Sequence, residues 1–124
     1  FLNERTMENH ENCIFCKIIA GTIPCQKVYE DEEVFGFKDI NPAAPIHFLL
    51  IPKRHITTLE ADAPLDAQLL GRMMALAPRL AVEQGCRPGR DGGFRLSLNN
   101  GADGGQEVYH THLHVMGGPR PWNK

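Results

Sequence analysis

The stretch VYHTHLHVMGG, residues 108 to 118, places three histidines at alternate positions. In an extended strand successive side chains point to opposite faces. His110, His112 and His114 then share one face, and Thr111, Leu113 and Val115 the other. Leu113 and Val115 suit a core, so the imidazoles face away from that core or line a cleft. At a rise of about 3.3 Å per residue, neighbouring histidines stand roughly 6.6 Å apart at Cα and the outer pair roughly 13 Å. One zinc ion, with Zn–N bonds of about 2.0–2.1 Å, reaches two adjacent rings but not all three of an unbent strand. A metal alone therefore leaves at least one ring without a task. The chain holds only six histidines in 124 residues. A merely polar, solvent-facing strand is the poorer account of such clustering.

The rest of the chain is organised around short strands. Its length supports one domain, expected over residues 13–124 after a flexible N-terminal segment at 1–12. IFCKIIAG (14–21) reads as a short helix closed by Gly21, with Ile14, Ile18 and Phe15 turned inward. QKVYED and VFGFKD are strands with Asp31 and Glu32 at the turn between them, and IHFLLIP (46–52) is a strand stopped by Pro52. Leu69, Met73, Leu76 and Leu80 form one face of a long helix over roughly 64–84, which Pro78 should kink or split and Gly85 end. FRLSLN and HTHLHVMG are the last two strands, joined by the glycine-rich NGADGGQE. This order predicts an α+β fold, an antiparallel sheet with helices on one side.

Charge and cysteine content narrow the function classes. A net charge of −2 and a pI near 6.3 provide no basic field, so long nucleic acid is not expected as a partner. The longest apolar runs, such as FLLI, are too short to span a bilayer, and the polar N-terminus lacks an apolar signal core. No membrane partner is expected, and the location is expected to be cytoplasmic. In a reducing compartment the C-x-x-C pair Cys13/Cys16 suggests metal or redox chemistry, while Cys25 and Cys86 read as ordinary thiols.

Two further patterns touch the histidines. Gly101, Gly104 and Gly105 precede them, and glycines let consecutive N–H groups converge on an anion. Amides that hold phosphate oxygens beside a neutral ring nitrogen are what attack on phosphorus requires. A free imidazole titrates near about 6.5, so much of it is neutral at pH 7. Phe35, Phe37 and Asp39 alternate on one strand face. An aromatic beside a carboxylate suits a base and two ribose hydroxyls. Simple core packing is the alternative for Phe15, Ile18, Phe35 and Phe37, and is the preferred one for Phe35.

Together, GADGGQEVYHTHLHVMGG, FGFKDINPAAPIHFLLIPKRHI and CIFCKIIAGTIPCQKVYEDE resemble the histidine-triad (HIT) nucleotide-binding proteins, nearest the Hint-like purine nucleoside phosphoramidase branch. The resemblance covers about residues 13–122. It implies five antiparallel strands with one long and one short helix, and a homodimer whose sheets join. It implies a purine nucleoside 5′-phosphoramidate as substrate, attacked at the α-phosphorus by His112. The resulting nucleotidyl-histidine is then hydrolysed to the nucleoside monophosphate. His114 and His47 would support His112. Asn99, Gln106 and the backbone of Gly105, Glu107 and Val108 would hold phosphate oxygens. Asp39 would bind ribose, with Phe15, Ile18, Phe37 and Ile40 around the base. Cys13, Cys16, His55 and His110 would hold a structural zinc, catalysis itself needing no cofactor. Two residues depart from that branch: Glu107 stands where serine is common, and Pro78 interrupts the long helix. The tail PRPW is loosely similar, which would put Trp122 near the partner's site. Two other activities stay open at this point. One is a nucleotide-binding interaction dimer with slow residual hydrolysis, the other a HIT-type dinucleoside polyphosphate hydrolase.

Overall fold

Alternating apolar positions produce a sheet whose two faces are covered by different helices. The computed structural model describes residues 12–122; the N-terminal segment expected to be flexible lies, up to residue 11, outside them. In chain order the elements are α1 (Ile14–Ile19), β1 (Lys27–Glu30), β2 (Val34–Lys38), β3 (Ile46–Pro52), α2 (Ala67–Glu83), β4 (Phe94–Ser97) and β5 (Leu113–Gly117). A short 3-10 turn at Ala102–Gly104 precedes β5. The strands form one sheet in the order β1-β2-β3-β5-β4, every neighbouring pair antiparallel. No helix among the described residues is long and apolar enough to cross a membrane.

The expectation of helices on one side is corrected. Phe48 and Leu50 of β3 point to α2, joining Leu69, Met73, Leu76 and Leu80 in the larger core. Leu49 and Ile51 point the other way, with Phe35 and Phe37, and meet Phe15 and Ile18 of α1. The sheet thus carries one helix on each face. Period-two alternation in β2 and β3 feeds both cores at once. Phe35 is core, as read from the sequence.

Helix α2 runs unbroken through Pro78. Proline removes the hydrogen bond to the carbonyl four residues earlier, here that of Met74. Pro78 is exposed and Met74 half exposed, so that carbonyl lies on the wet side, where water can replace the lost donor. The helix starts at 67 rather than 64 because Asp66 caps it, its carboxylate accepting the N–H of Leu69 at 3.0 Å.

Asp31 ties the β1–β2 turn to α2. Its carboxylate accepts from the hydroxyl of Tyr29, the guanidinium of Arg72 and the N–H groups of Glu33 and Val34. Burial pushes this carboxyl up, but those four donors outweigh it and hold it well below the usual carboxylate range.

The last strand is shorter than expected: pairing begins at Leu113, not His110. Leu113 stands opposite Leu50. Continuing that register would set Thr111 against Pro52, which has no N–H to give. The N–H of Thr111 bonds instead to the carbonyl of Ile56 at 2.6 Å. Only His114 of the three histidines therefore lies in the ladder.

Candidate active site

The break before Leu113 sends the histidines to two places. His110 is fully buried and turns to the N-terminal cysteines. His112 and His114 stay together, ring centroids 4.9 Å apart, on the wall of a cavity of about 240 Å³. One side of this cavity is apolar, made by Phe15 and Ile18 of α1, Phe37 and Leu49 of the sheet, and Val108. Ile40, 85% exposed, forms its rim. Asp39, Asn99, Gly105 and Glu107 complete the polar side.

Hydrogen bonds settle where the ring protons sit. The backbone carbonyl of His110 lies 2.8 Å from Nδ1 of His112. A carbonyl only accepts, so Nδ1 of His112 carries the proton and Nε2 keeps its lone pair. His47 obeys the opposite logic. The N–H of Ala43 donates to its Nδ1 at 2.9 Å, which places the proton on Nε2. That Nε2–H points to Nδ1 of His114 at 3.0 Å, so His114 is protonated on Nε2. His112 is thus a lone-pair ring and His114 a donor ring, side by side. Such a pair can attack an electrophile and stabilise the negative charge that develops.

Asp39 stands behind this pair. One carboxylate oxygen accepts the N–H of Asn41 at 2.8 Å and the other lies 3.4 Å from Nε2 of His47. Asp39, His47 and His114 are close enough together to hold a cation. The Ala43 N–H already sets the His47 proton between the other two groups, which makes this a proton-sharing cluster. Burial lowers the pKa of His112 below the usual imidazole range, against the opposing pull of the His110 carbonyl and the charges of Asp39 and Glu107. The residue is only 5% exposed, and its ring is held neutral at pH 7.

The structure brings most of the sequence-identified residues to this cavity, but not all. His47 is not in its lining and acts on it through His114. Gln106 is also absent from the lining. Its amide donates to the carbonyls of Thr57 (2.8 Å) and Val108 (3.0 Å) and accepts the N–H of Gly101 (2.7 Å). All its polar atoms are engaged in pinning the glycine loop. The loop's own amides differ from expectation too. Those of Gly104, Gly105 and Gln106 donate to carbonyls of Gly101 and Ala102, a turn made possible by positive φ at Gly101 and Gly105. Ile14 was expected inside but is 45% exposed and lines the cavity mouth. Leu49 was missed because nothing in a buried strand distinguishes a core leucine from a cavity wall.

The second group of donors is Cys13, Cys16, His55 and His110, whose Sγ and ring nitrogen atoms all lie within 4.8 Å of one another. Nδ1 of His110 is 3.3 Å from Cys13 Sγ and 3.5 Å from Cys16 Sγ, and Nδ1 of His55 is 3.3 Å from Cys16 Sγ. Edges of this length suit a tetrahedron with Zn–S near 2.3 Å and Zn–N near 2.0–2.1 Å. Nε2 of His110 donates to the carbonyl of Pro52 at 2.7 Å, so the lone pair on Nδ1 is the one that faces the sulfurs. Such an outer bond is usual for a ligating histidine. Burial pushes the Cys16 thiol up to about 12, with further contributions from the hydrogen bond and charge of Cys13. A dication is the partner that would offset both. The donor set, its spacing and the His110 tautomer fit zinc.

Comparison with known proteins agrees with this architecture. The family model described as HIT domain matches residues 20–120. The chain is 53% identical over 109 residues to Protein HitA of Neisseria gonorrhoeae, covering 88% of this chain and 98% of that one. It is 44% identical over 108 residues to the purine nucleoside phosphoramidase of Escherichia coli K12, covering 87% and 88%. A solved HIT family hydrolase from Legionella pneumophila superposes with a TM-score of 0.77 at 44% identity, over 87% of this chain and 94% of that one. With this sheet order, this triad and these relatives, the chain belongs to the HIT domain family.

Proposed function

We propose that this protein hydrolyses purine nucleoside 5′-phosphoramidates through a nucleotidyl-histidine intermediate. The observation that carries the proposal is the His110 carbonyl on Nδ1 of His112, which leaves Nε2 as a neutral nucleophile in the cavity. The similarity to a purine nucleoside phosphoramidase supports the substrate class. In the first step Nε2 of His112 attacks the α-phosphorus, the P–N bond breaks with its electron pair passing to nitrogen, and the amine leaves with a proton taken from Glu107 or from solvent. Water then attacks the same phosphorus, the N–P bond to His112 breaks with its electron pair returning to Nε2, the water's surplus proton passes to solvent, and the nucleoside monophosphate is released. Nε2–H of His114 stabilises phosphate oxygen charge, its tautomer set through His47. Asn99 and the amides of Glu107 and Val108 are the remaining donors on the phosphate side, the Gly105 amide being engaged within its loop. Asp39 accepts the ribose hydroxyls, and Phe15, Ile18, Phe37 and Ile40 enclose the base. Glu107 meets the leaving amine, as a proton source or as a counter-charge.

Zinc is proposed at Cys13, Cys16, His55 and His110, where it would cross-link α1 to two distant segments and take no part in the chemistry. A homodimer joined through an edge strand is proposed as the working form. Trp122, with Arg95 and Arg120 over its ring at 5.1 and 4.3 Å, would then border the partner's site.

Steady-state kinetics on adenosine 5′-phosphoramidate and on a dinucleoside polyphosphate test the assignment. Preference for the phosphoramidate is expected, with loss of about a thousandfold or more in His112→Ala. Near wild-type turnover by that variant refutes it. Preference for the dinucleotide moves the protein to another substrate class of the same chemistry.

A further inference from the structure

The donors on the phosphate side sit on a stretch that the sheet does not hold. β4 ends at Ser97, and no strand pairing resumes before Leu113. The glycine turn within this stretch closes on itself. Two carboxamides carry it onto residues 57–60, between β3 and α2. Gln106 serves the exit of the turn, donating to the carbonyl of Thr57 at 2.8 Å. Asn100 serves the entrance. Its Oδ1 accepts the N–H of Leu59 at 2.8 Å, and its Nδ2 donates to the carboxylate of Glu60 at 2.8 Å. The 57–60 stretch is itself anchored. The N–H groups of Ala61 and Asp62 close it on the carbonyls of Thr58 and Leu59. Arg54, just after β3, grips the Asp62 carboxylate at 2.6 and 3.2 Å.

The Glu60 carboxylate only accepts, so it dictates which end of the Asn100 carboxamide faces it and leaves Oδ1 for Leu59. Both ends of Asn100 are thereby fixed. Asn99, its neighbour, goes the other way and lines the cavity, as adjacent side chains of an extended stretch do. The Ser97 hydroxyl donates to Oδ1 of Asn99 at 3.4 Å, so the NH2 end of Asn99 is the one offered to an anion. Holding Asn100 on the outer side therefore sets where Asn99 aims on the inner side. We propose that Asn100, braced by Leu59 and Glu60, is a positioning residue for the phosphate side of the cavity and acts through Asn99. The proposal rests on the reading of the cavity as a nucleotide site. It adds a residue that touches no substrate yet governs phosphate recognition separately from base and ribose recognition.

The test is calorimetric titration of the full chain with AMP and with adenosine, which differ only in the phosphate. Asn100→Ala is expected to weaken AMP binding about tenfold or more and to leave adenosine within about twofold of wild type. Asn100→Asp keeps an acceptor for Leu59, should the alanine variant fail to fold, and sets a second carboxylate against Glu60. It is expected to lose AMP affinity likewise. Adding Glu60→Gln to Asn100→Asp restores a donor facing an acceptor at the wild-type net charge, and is expected to recover most of that loss. Equal losses for AMP and adenosine mark a merely structural residue and overturn the proposal. So does unchanged AMP affinity in both Asn100 variants, or a double variant no better than Asn100→Asp. Binding is read without turnover, so these outcomes are separate from the His112→Ala experiment. Wild type that binds AMP beside Asn100 variants that bind it equally well defeats this proposal alone, whereas wild type that does not bind AMP defeats the nucleotide reading and the proposal with it.

Discussion

His112 is held in its neutral form by burial, and this has a direct consequence for pH dependence. Its folded pKa lies below the ordinary imidazole value. The proposed nucleophile therefore stays unprotonated as pH falls through about 6.5, and activity is expected to drop only on reaching the lower folded value. A kcat/KM profile is expected to have its acidic limb displaced to lower pH than a free histidine would give. A limb at or above the free value contradicts the burial argument. Thr111, its neighbour, has a buried hydroxyl with no hydrogen-bond partner among the described residues. Replacing it by valine removes an unsatisfied polar group at nearly constant shape. Thr111→Val is expected to leave stability unchanged or raise it by about 1 kcal/mol, and a loss of that size by denaturant titration contradicts it. The alternation of histidines in the sequence identifies these residues as a group. It does not separate His110 from the other two, because that depends on Pro52, a residue 58 positions away that offers a carbonyl and no N–H.

At the scale of elements, local patterns are legible where the cause is local. The strand expected at 46–52 is β3 as found, and Leu69, Met73, Leu76 and Leu80 are all buried on one face of α2. Leu80, 1% exposed, packs in the larger core. Leu80→Ala is expected to cost about 2–5 kcal/mol by leaving a cavity, read as a lower denaturant midpoint at unchanged slope. A cost under about 1 kcal/mol means α2 is not seated on β3 as described. The patterns mislead where the deciding partner is distant. The sequence of α1 does not reveal which face of the sheet it will cover. That choice follows from Phe35, Phe37, Leu49 and Ile51 leaving a second apolar face for Phe15 and Ile18 to fill. The glycine loop is legible as a turn, yet its amides close on Gly101 and Ala102, so it binds itself before it can bind an anion.

For the whole molecule, two quantities follow from the proposal. Protein purified without chelator is expected to hold close to one zinc per chain, and its light-scattering mass to be twice the 13.8 kDa of one chain. Metal far below one equivalent removes the zinc proposal, and a single-chain mass removes the dimer. Neither result alone touches the chemistry proposed at His112. That chemistry is tested most directly by stopping turnover of adenosine 5′-phosphoramidate with acid and mapping the nucleotide-bearing peptide by mass spectrometry. The account predicts one adenylyl group on His112, absent from His112→Ala. An adduct on His114 or another side chain, or wild-type turnover that passes through no protein-bound nucleotide, contradicts it.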